Sequence, residues 1–499
     1  MKTINIIQST VCSLFAFTML LSISSCASDE GNYDYQEVNQ LTISGIQDKY
    51  EVEQFSDLTI TPTITGSVAF DESDYSFLWF IYKYNSKEMP DTVSHEKNLN
   101  ATIAKSPSSD YALVFQATNN VTGRVDYRKV ALTVVNTYSK GLAILSDVEG
   151  MAQVAFINSL DHVTENAFEA VNERPLGRGP IGIWLAGRNS NSDQLIVIST
   201  EDSVVCCNNI DFSYTMNFQD LFFFPSSPGR LENIIHGQYA FDEYAIVDGK
   251  AFKRDIYVWS DAPSTLPKFS THLSAPGKVA PFNFFRDNIT GYFYDIDNKC
   301  FLYDAYSNLD VLSSGYGNAY WDACDVGMDI VWGDVALSDD RQSHLRAIMK
   351  DDSGKSYLLW GVKGSDFDME TYDSWNFIVP GGKREISGDM ARATIFAISS
   401  MDPNYIYYAY GNKITCVSVI TGNVISEYTV DGGSIDCMEF DVSDTGKMYV
   451  GASNGSKSAN SGSVYVLRMS TNGQLSLEKS YKNICGKIVD FETNTSEEE

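Results

Sequence analysis

The chain has 499 residues, more than one typical domain needs, and a hydrophobic content of 43 % that can build real cores. Its 65 acidic and 36 basic residues leave a net charge of −29, spread rather than clustered. That balance argues against nucleic acid, whose phosphates need basic patches, and against adhesion of the protein body to an anionic membrane. Aromatics are abundant, with 29 Tyr and 27 Phe, a composition suited to strands and to carbohydrate-facing surfaces.

Lys2, the apolar run from Val11 to Ile23 and the small residues before Cys26 have the three parts of a secretory signal. The run is shorter than the roughly 20 apolar residues of a comfortable spanning helix. No later segment approaches that length, so the mature chain is expected not to span a membrane. Ile23-Ser24-Ser25-Cys26 resembles a bacterial lipobox. The resemblance implies removal of residues 1–25 and acylation of Cys26, a lipid anchor that holds stably with two or more chains. Asp29 and Glu30 resemble the acidic signal that sends Bacteroidetes lipoproteins to the outer face of the outer membrane. Gly31-Asn32-Tyr33-Asp34-Tyr35 is similar to the opening of the PKD-like lipoprotein family of that phylum. This resemblance implies a place beside the porin and lid lipoprotein of a starch-utilisation-type uptake system.

Residues 26–39 are polar and read as an acidic tether. From 40 to 137, short strands alternate with turn signals, with Tyr75–Tyr82 centred on Trp79 and a last strand at Lys129–Val135. About seven strands around one Trp describe an Ig/PKD-like β-sandwich, here a spacer. Over 138–493 the texture becomes repeated hairpins, among them Glu243–Val247 turning at Asp248-Gly249 and Tyr405–Ala409 turning at Gly411-Asn412. Hairpins recurring without helical periodicity indicate a β-propeller of about seven blades, making the fold class all-β. The apolar strand 141–146 beside a late strand such as Ile488–Phe491 favours a closed ring. Residues 494–499 read as a polar tail.

Apart from Cys12 in the signal and Cys26, the seven cysteines lack CxxC spacing and are an odd set, a poor disulfide framework and a poor zinc site. They read as buried apolar residues, with Cys206 and Cys207 pointing to opposite faces of a strand. The five histidines are far apart, and no nucleotide loop, zinc-helix or serine-elbow motif is present, so neither cofactor nor metal is expected. Asp322, Asp325, Asp329 and Asp334 crowd one segment and are the candidates for a propeller hydrolase or lyase. Phe222-Phe223-Phe224-Pro225 reads as core or as a dock for a protein partner.

The binding candidates are aromatics in the longer inter-blade segments: Tyr316, Tyr320 and Trp321 in one connection, Tyr372 and Trp375 in another. Flat rings stack on the C–H faces of sugars, and the same rings can instead cap blade cores. The leading expectation is non-catalytic glycan capture at the cell surface. Its rivals are an accessory subunit of the porin–lid complex with peptide capture, and a glycosidase or lyase. Asp91-Thr92-Val93 and Asp202-Ser203-Val204 are similar to a Bacteroidetes O-glycosylation pattern.

Overall fold

The computed structural model describes residues 39–495 except 69, 88, 188–193, 225–228, 237–241, 256–267, 285–289, 306, 313–319, 339–340 and 368–373. The signal, Cys26 and nearly all of the tether therefore lie outside the described residues, as do Tyr316 and Tyr372. The described parts of Met1–Asp48, Thr59–Ala101 and Ala112–Val130 pack as one compact unit, and those of Lys49–Leu58, Thr102–Tyr111 and Ala131–Glu499 as another.

In the first unit Tyr75–Lys83 lies between residues 112–119 and the edge strand Asp91–Ser94, while Leu41–Ser44 pairs with Thr63–Gly66. Trp79 is fully buried against Phe115 with ring centroids 4.7 Å apart. Its indole N–H donates to the carbonyl of Lys97 at 3.1 Å, which satisfies the polar end of a buried Trp. This is the sandwich read from the sequence, with Trp79 at its centre.

In the second unit Lys49–Glu53 runs parallel to Ala131–Val135. Seven antiparallel sheets follow among the described residues, and they are the blades of a propeller. Their axial strands are Lys487–Thr495 in blade 1, Pro180–Ala186 in blade 2, Leu231–His236 in blade 3, Asp329–Leu337 in blade 5, Ile395–Ala397 in blade 6 and Ser434–Phe440 in blade 7. Blade 4 has an irregular axial segment, marked by the bridges Val279↔Asp295 and Asn283↔Asp334. From the axis outward the strands of each blade are called a to d.

Strand b is apolar on both faces because each face packs against a neighbouring blade. All six residues of Leu195–Thr200 are buried. Cys207 joins the core between blades 1 and 2 and Cys206 that between blades 2 and 3, the opposite facing expected of adjacent strand residues. The hairpin turn of blade 3 forms where expected: Asp248 and Gly249 have φ of 50° and 71°, the left-handed pair a type I′ turn needs.

The ring closes through the last strand. Lys487–Thr495 pairs with Lys140–Val148, setting Phe491 opposite Ile144, and supplies the axial strand of blade 1. Asn494 is thus not part of a polar tail. It is buried, and its amide donates to the carbonyls of Tyr138 and Asn209. Asn494 and Thr495 read as polar because backbone pairing with Gly141 and Lys140, not apolar burial, sets their place.

Polar links stitch one blade to the next. Tyr292 of blade 4 donates to the carbonyls of Gly364 and Phe377 in blade 5 at 3.0 and 3.1 Å. Arg346 of blade 5 donates to the carbonyl of Pro403, and Tyr407 of blade 6 to that of Gly473 in blade 7. Lys479 of blade 7 meets Asp161 of blade 1 at 2.6 Å. Burial opposes ionisation of Asp161, but Lys479 and Tyr481 still hold its carboxyl below the usual value. In blade 3 Glu243 and Arg254 form an ion pair at 2.5 Å with side chains 0 % and 1 % exposed, and Glu243 also accepts the N–H of Gly187 in blade 2 at 2.7 Å.

Candidate functional site: the aromatic end of the propeller

Because strands alternate in direction, every a–b and c–d connection lies at one end of the propeller and every b–c and d–a connection at the other. This sorts the candidate rings. Tyr320 and Trp321 follow strand d of blade 4 (Leu309–Val311) and precede strand a of blade 5, so they lie at the d–a end. Trp375 is the second residue of strand d of blade 5, paired with Asp366, at the opposite end. The backbone positions of Tyr320 and Trp375 are therefore at opposite ends of the propeller.

Trp321 is not a surface ring. It is 6 % exposed, packs against Phe301 at 5.9 Å and donates its indole N–H to the carbonyl of Gly382 at 3.0 Å. Its size and its single polar atom are both used in joining blade 4 to blade 5. Tyr320, one residue earlier, is 60 % exposed.

Three further exposed aromatics of the propeller share Tyr320's end. Phe223 and Phe224 are 64 % and 70 % exposed in the connection from blade 2 to blade 3, and Tyr410 stands at the b–c turn of blade 6. Among the described residues, these four are the large exposed aromatics of the propeller. Phe222 points the other way and is buried against Phe269 and Phe252, at 5.1 and 5.2 Å. The triple Phe is thus half core and half surface, a split that the sequence alone does not show because all three residues are identical.

Next to Phe224 a cavity of about 330 Å³ opens, lined by Phe222, Phe224, Phe252 and His272 with Asp248 and Lys250 on its rim. Rings with polar groups beside them, in a volume at the lower end of that for small-ligand sites, can take a compact polar ligand with apolar faces. Asp248 is anchored there by accepting the N–H of Arg230 at 3.1 Å.

The carboxylates sort differently. Asp322 and Asp325 close a turn, with Asp322 accepting the N–H of Cys324 at 3.1 Å. Asp329 pairs with Lys299 at 3.3 Å. Of the four acids proposed from sequence, Asp334 alone reaches the axial channel. The channel holds a cavity of about 350 Å³ whose acidic lining includes Glu232, Glu439, Asp441, Asp490 and Glu492, with no Lys or Arg. Sequence reasoning missed these acids, since they come from three blades and only ring closure gathers them.

Asp490 accepts the N–H of Ile183 at 3.0 Å and Glu492 that of Leu185 at 2.8 Å, so the closing strand uses its carboxylates to satisfy the free edge of the next axial strand. Burial pushes the Asp490 carboxyl up to about 7, with the Glu492 charge adding to the rise. No cluster of three or more metal-ligating side chains occurs among the described residues.

An all-β chain with an Ig/PKD-like sandwich and a seven-bladed propeller is the class that these observations define. Residues 26–180 match the PKD-like family, so the sandwich is a PKD-like module, and the match runs on through the outer strands of blade 1. A quinonprotein alcohol dehydrogenase-like protein from Bacteroides thetaiotaomicron is similar in structure, with 12 % identity and a TM-score of 0.38 over 90 % of this chain and 97 % of its own. The propeller domain of Cps50 (Swd1) from Myceliophteria thermophila is similar at 8 % identity and a TM-score of 0.37, over 68 % of this chain and 96 % of its own. The RRP9 WD40 repeats align at 8 % identity and a TM-score of 0.37, over 64 % and 85 %. No curated protein matches the sequence.

Proposed function

We propose that this protein is a non-catalytic surface lipoprotein, anchored through Cys26 at the outer face of the outer membrane, that captures glycans on the aromatic end of its propeller. The observation that carries the reading is one-sided exposure: Phe223, Phe224, Tyr320 and Tyr410 all stand at the b–c and d–a end. Sugar rings offer C–H faces to such side chains, and Asp248 and Lys250 beside the cavity supply partners for hydroxyls. A binding role is favoured over hydrolysis because Asp490 and Glu492 at the axis are committed to backbone N–H groups, and Asp322 and Asp325 are committed to a turn. In the second reading the same rings dock on the porin and lid lipoprotein of an uptake system, since exposed aromatics also mark protein interfaces.

The test is native affinity electrophoresis of the mature chain, with Cys26 replaced by Ser, through gels containing plant, fungal or host polysaccharides. Retardation in one gel that is lost in Phe224→Ala or Tyr320→Ala supports capture and names the glycan. Equal migration in every gel defeats it, and cross-linking in intact cells then decides for or against the porin partner.

A further inference from the structure

One pair of thiols stands apart from the other five cysteines of the described chain. Cys300 opens strand c of blade 4, and Cys324 sits in the connection from blade 4 to blade 5 that carries Tyr320. The backbone fixes how they face each other. The N–H of Phe301 donates to the carbonyl of Ala323 at 2.8 Å, and the N–H of Val326 donates to the carbonyl of Lys299 at 3.0 Å. Those two bonds flank residue 300 on one side and residues 324 and 325 on the other. This is the two-against-one pattern of a β-bulge, with Cys324 and Asp325 both opposite Cys300.

Side-chain direction agrees. Phe301, Ala323 and Val326 belong to the same core, between blades 4 and 5, while Cys300 belongs to the core on the other face of blade 4, so Cys324 and Asp325, left between Ala323 and Val326, bulge towards the Cys300 side. A disulfide spans Cα separations of about 4.4–6.8 Å, against about 4.5–5.5 Å for opposed residues of a regular antiparallel pair, a spacing that a bulge disturbs locally. The other cysteines lack such a facing. Cys206 and Cys207 are divided between two cores, Cys416 lies in blade 6, and Cys437 and Cys485 lie on strands a and d of blade 7.

We propose that Cys300 and Cys324 are an oxidisable pair that closes to a disulfide and pins the Tyr320 connection onto blade 4. The oxidant is a small-molecule or protein disulfide, the class of reagent met outside a reducing cytosol. Cys324, which is half-buried, reacts first: its thiolate attacks one sulfur of the oxidant and releases one thiol. The thiolate of Cys300, which is 2 % exposed, then attacks the Cys324 sulfur and displaces the second thiol. Both cysteine protons end on the released thiols, and the two electrons end on the reduced oxidant. Burial pushes the Cys300 thiol up to about 11, with Asp295, Cys324 and Asp325 adding to the rise, so little thiolate is present and the closing attack is the slower step, helped by being intramolecular.

The pairing goes beyond the capture reading and survives or fails independently of it. The mature chain with Cys26→Ser is held folded with oxidised glutathione, quenched in acid, alkylated in denaturant and digested. The expected result is a cross-linked peptide joining Cys300 to Cys324, the other five thiols alkylated, and a higher Tm for the oxidised than for the reduced protein. Cys324→Ser and Cys324→Ala each abolish the cross-link and the Tm difference while keeping the circular dichroism of the parent. Full alkylation of all seven thiols, glutathione retained on Cys324, or a cross-link to any other cysteine overturns the proposal.

Discussion

The carboxylate of Asp490 accepts the backbone N–H of Ile183 at 3.0 Å, tying the strand that closes the ring to the axial strand of blade 2. The bond is made by an acid whose carboxyl burial raises to about 7. At low pH the folded and unfolded forms are both protonated and the group costs nothing. As pH rises from about 4 to about 7 the unfolded chain ionises while the folded one resists, so stability falls and the full penalty is present above that window.

Asp490→Asn keeps an acceptor for Ile183 and removes the penalty. A tenfold difference in proton affinity between the folded and unfolded chain is worth about 1.4 kcal/mol, so the gain is at most about 4 kcal/mol at pH 8 and vanishes near pH 4. Urea midpoints at the two pH values measure it. An equal gain at both would show that ionisation of Asp490 is not the cause.

The Glu243–Arg254 pair is deeply buried, and Arg254→Met strands a carboxylate beside the N–H of Gly187. Loss of about 3–5 kcal/mol is expected, largely recovered in Glu243→Gln/Arg254→Met, where no charge is left unpaired. Thermal unfolding of the parent and the two variants is the check. A double variant as unstable as the single would refute the unpaired-charge account.

Trp321→Ala and Phe224→Ala separate core from surface. Trp321 fills the joint between blades 4 and 5, so its removal costs about 3–5 kcal/mol. Phe224 is 70 % exposed, so its removal changes stability by less than about 0.5 kcal/mol yet weakens gel retardation. A destabilised Phe224 variant would make the aromatic end a packing feature.

How much of this was legible beforehand follows from the range of the interactions. Strand b of each blade, the Asp248-Gly249 turn and Trp79 were readable because local alternation and turn chemistry specify them, and the pairing of 141–146 with 488–491 was readable as an early and a late apolar strand flanking the run of hairpins. The candidate surface was not. Tyr320 and Trp321 are adjacent and chemically alike, yet one faces solvent and the other a core, and the difference is set by blade 5 across the joint. The axial acids were invisible for the same reason, being gathered only when the ring closes.

The two sequences similar to glycosylation acceptors differ in access. Thr92 is exposed on the edge strand Asp91–Ser94, whereas the Ser203 hydroxyl donates to the carbonyl of Leu176 at 3.2 Å within a b–c turn. Peptide mass spectrometry after expression in a Bacteroidetes host is expected to find sugar on Thr92 and none on Ser203. Occupancy of Ser203 alone would contradict the reading.

Blade 1 takes its outer strands from residues near 140–164 and its axial strand from Lys487–Thr495. Synthesis therefore delivers a hairpin with an open edge long before the strand that covers it, and the edge stays unpaired until Lys487–Thr495 has emerged. Anything that stalls or clips the chain before residue 487 leaves not a slightly shorter protein but an unclosed ring with an adhesive edge.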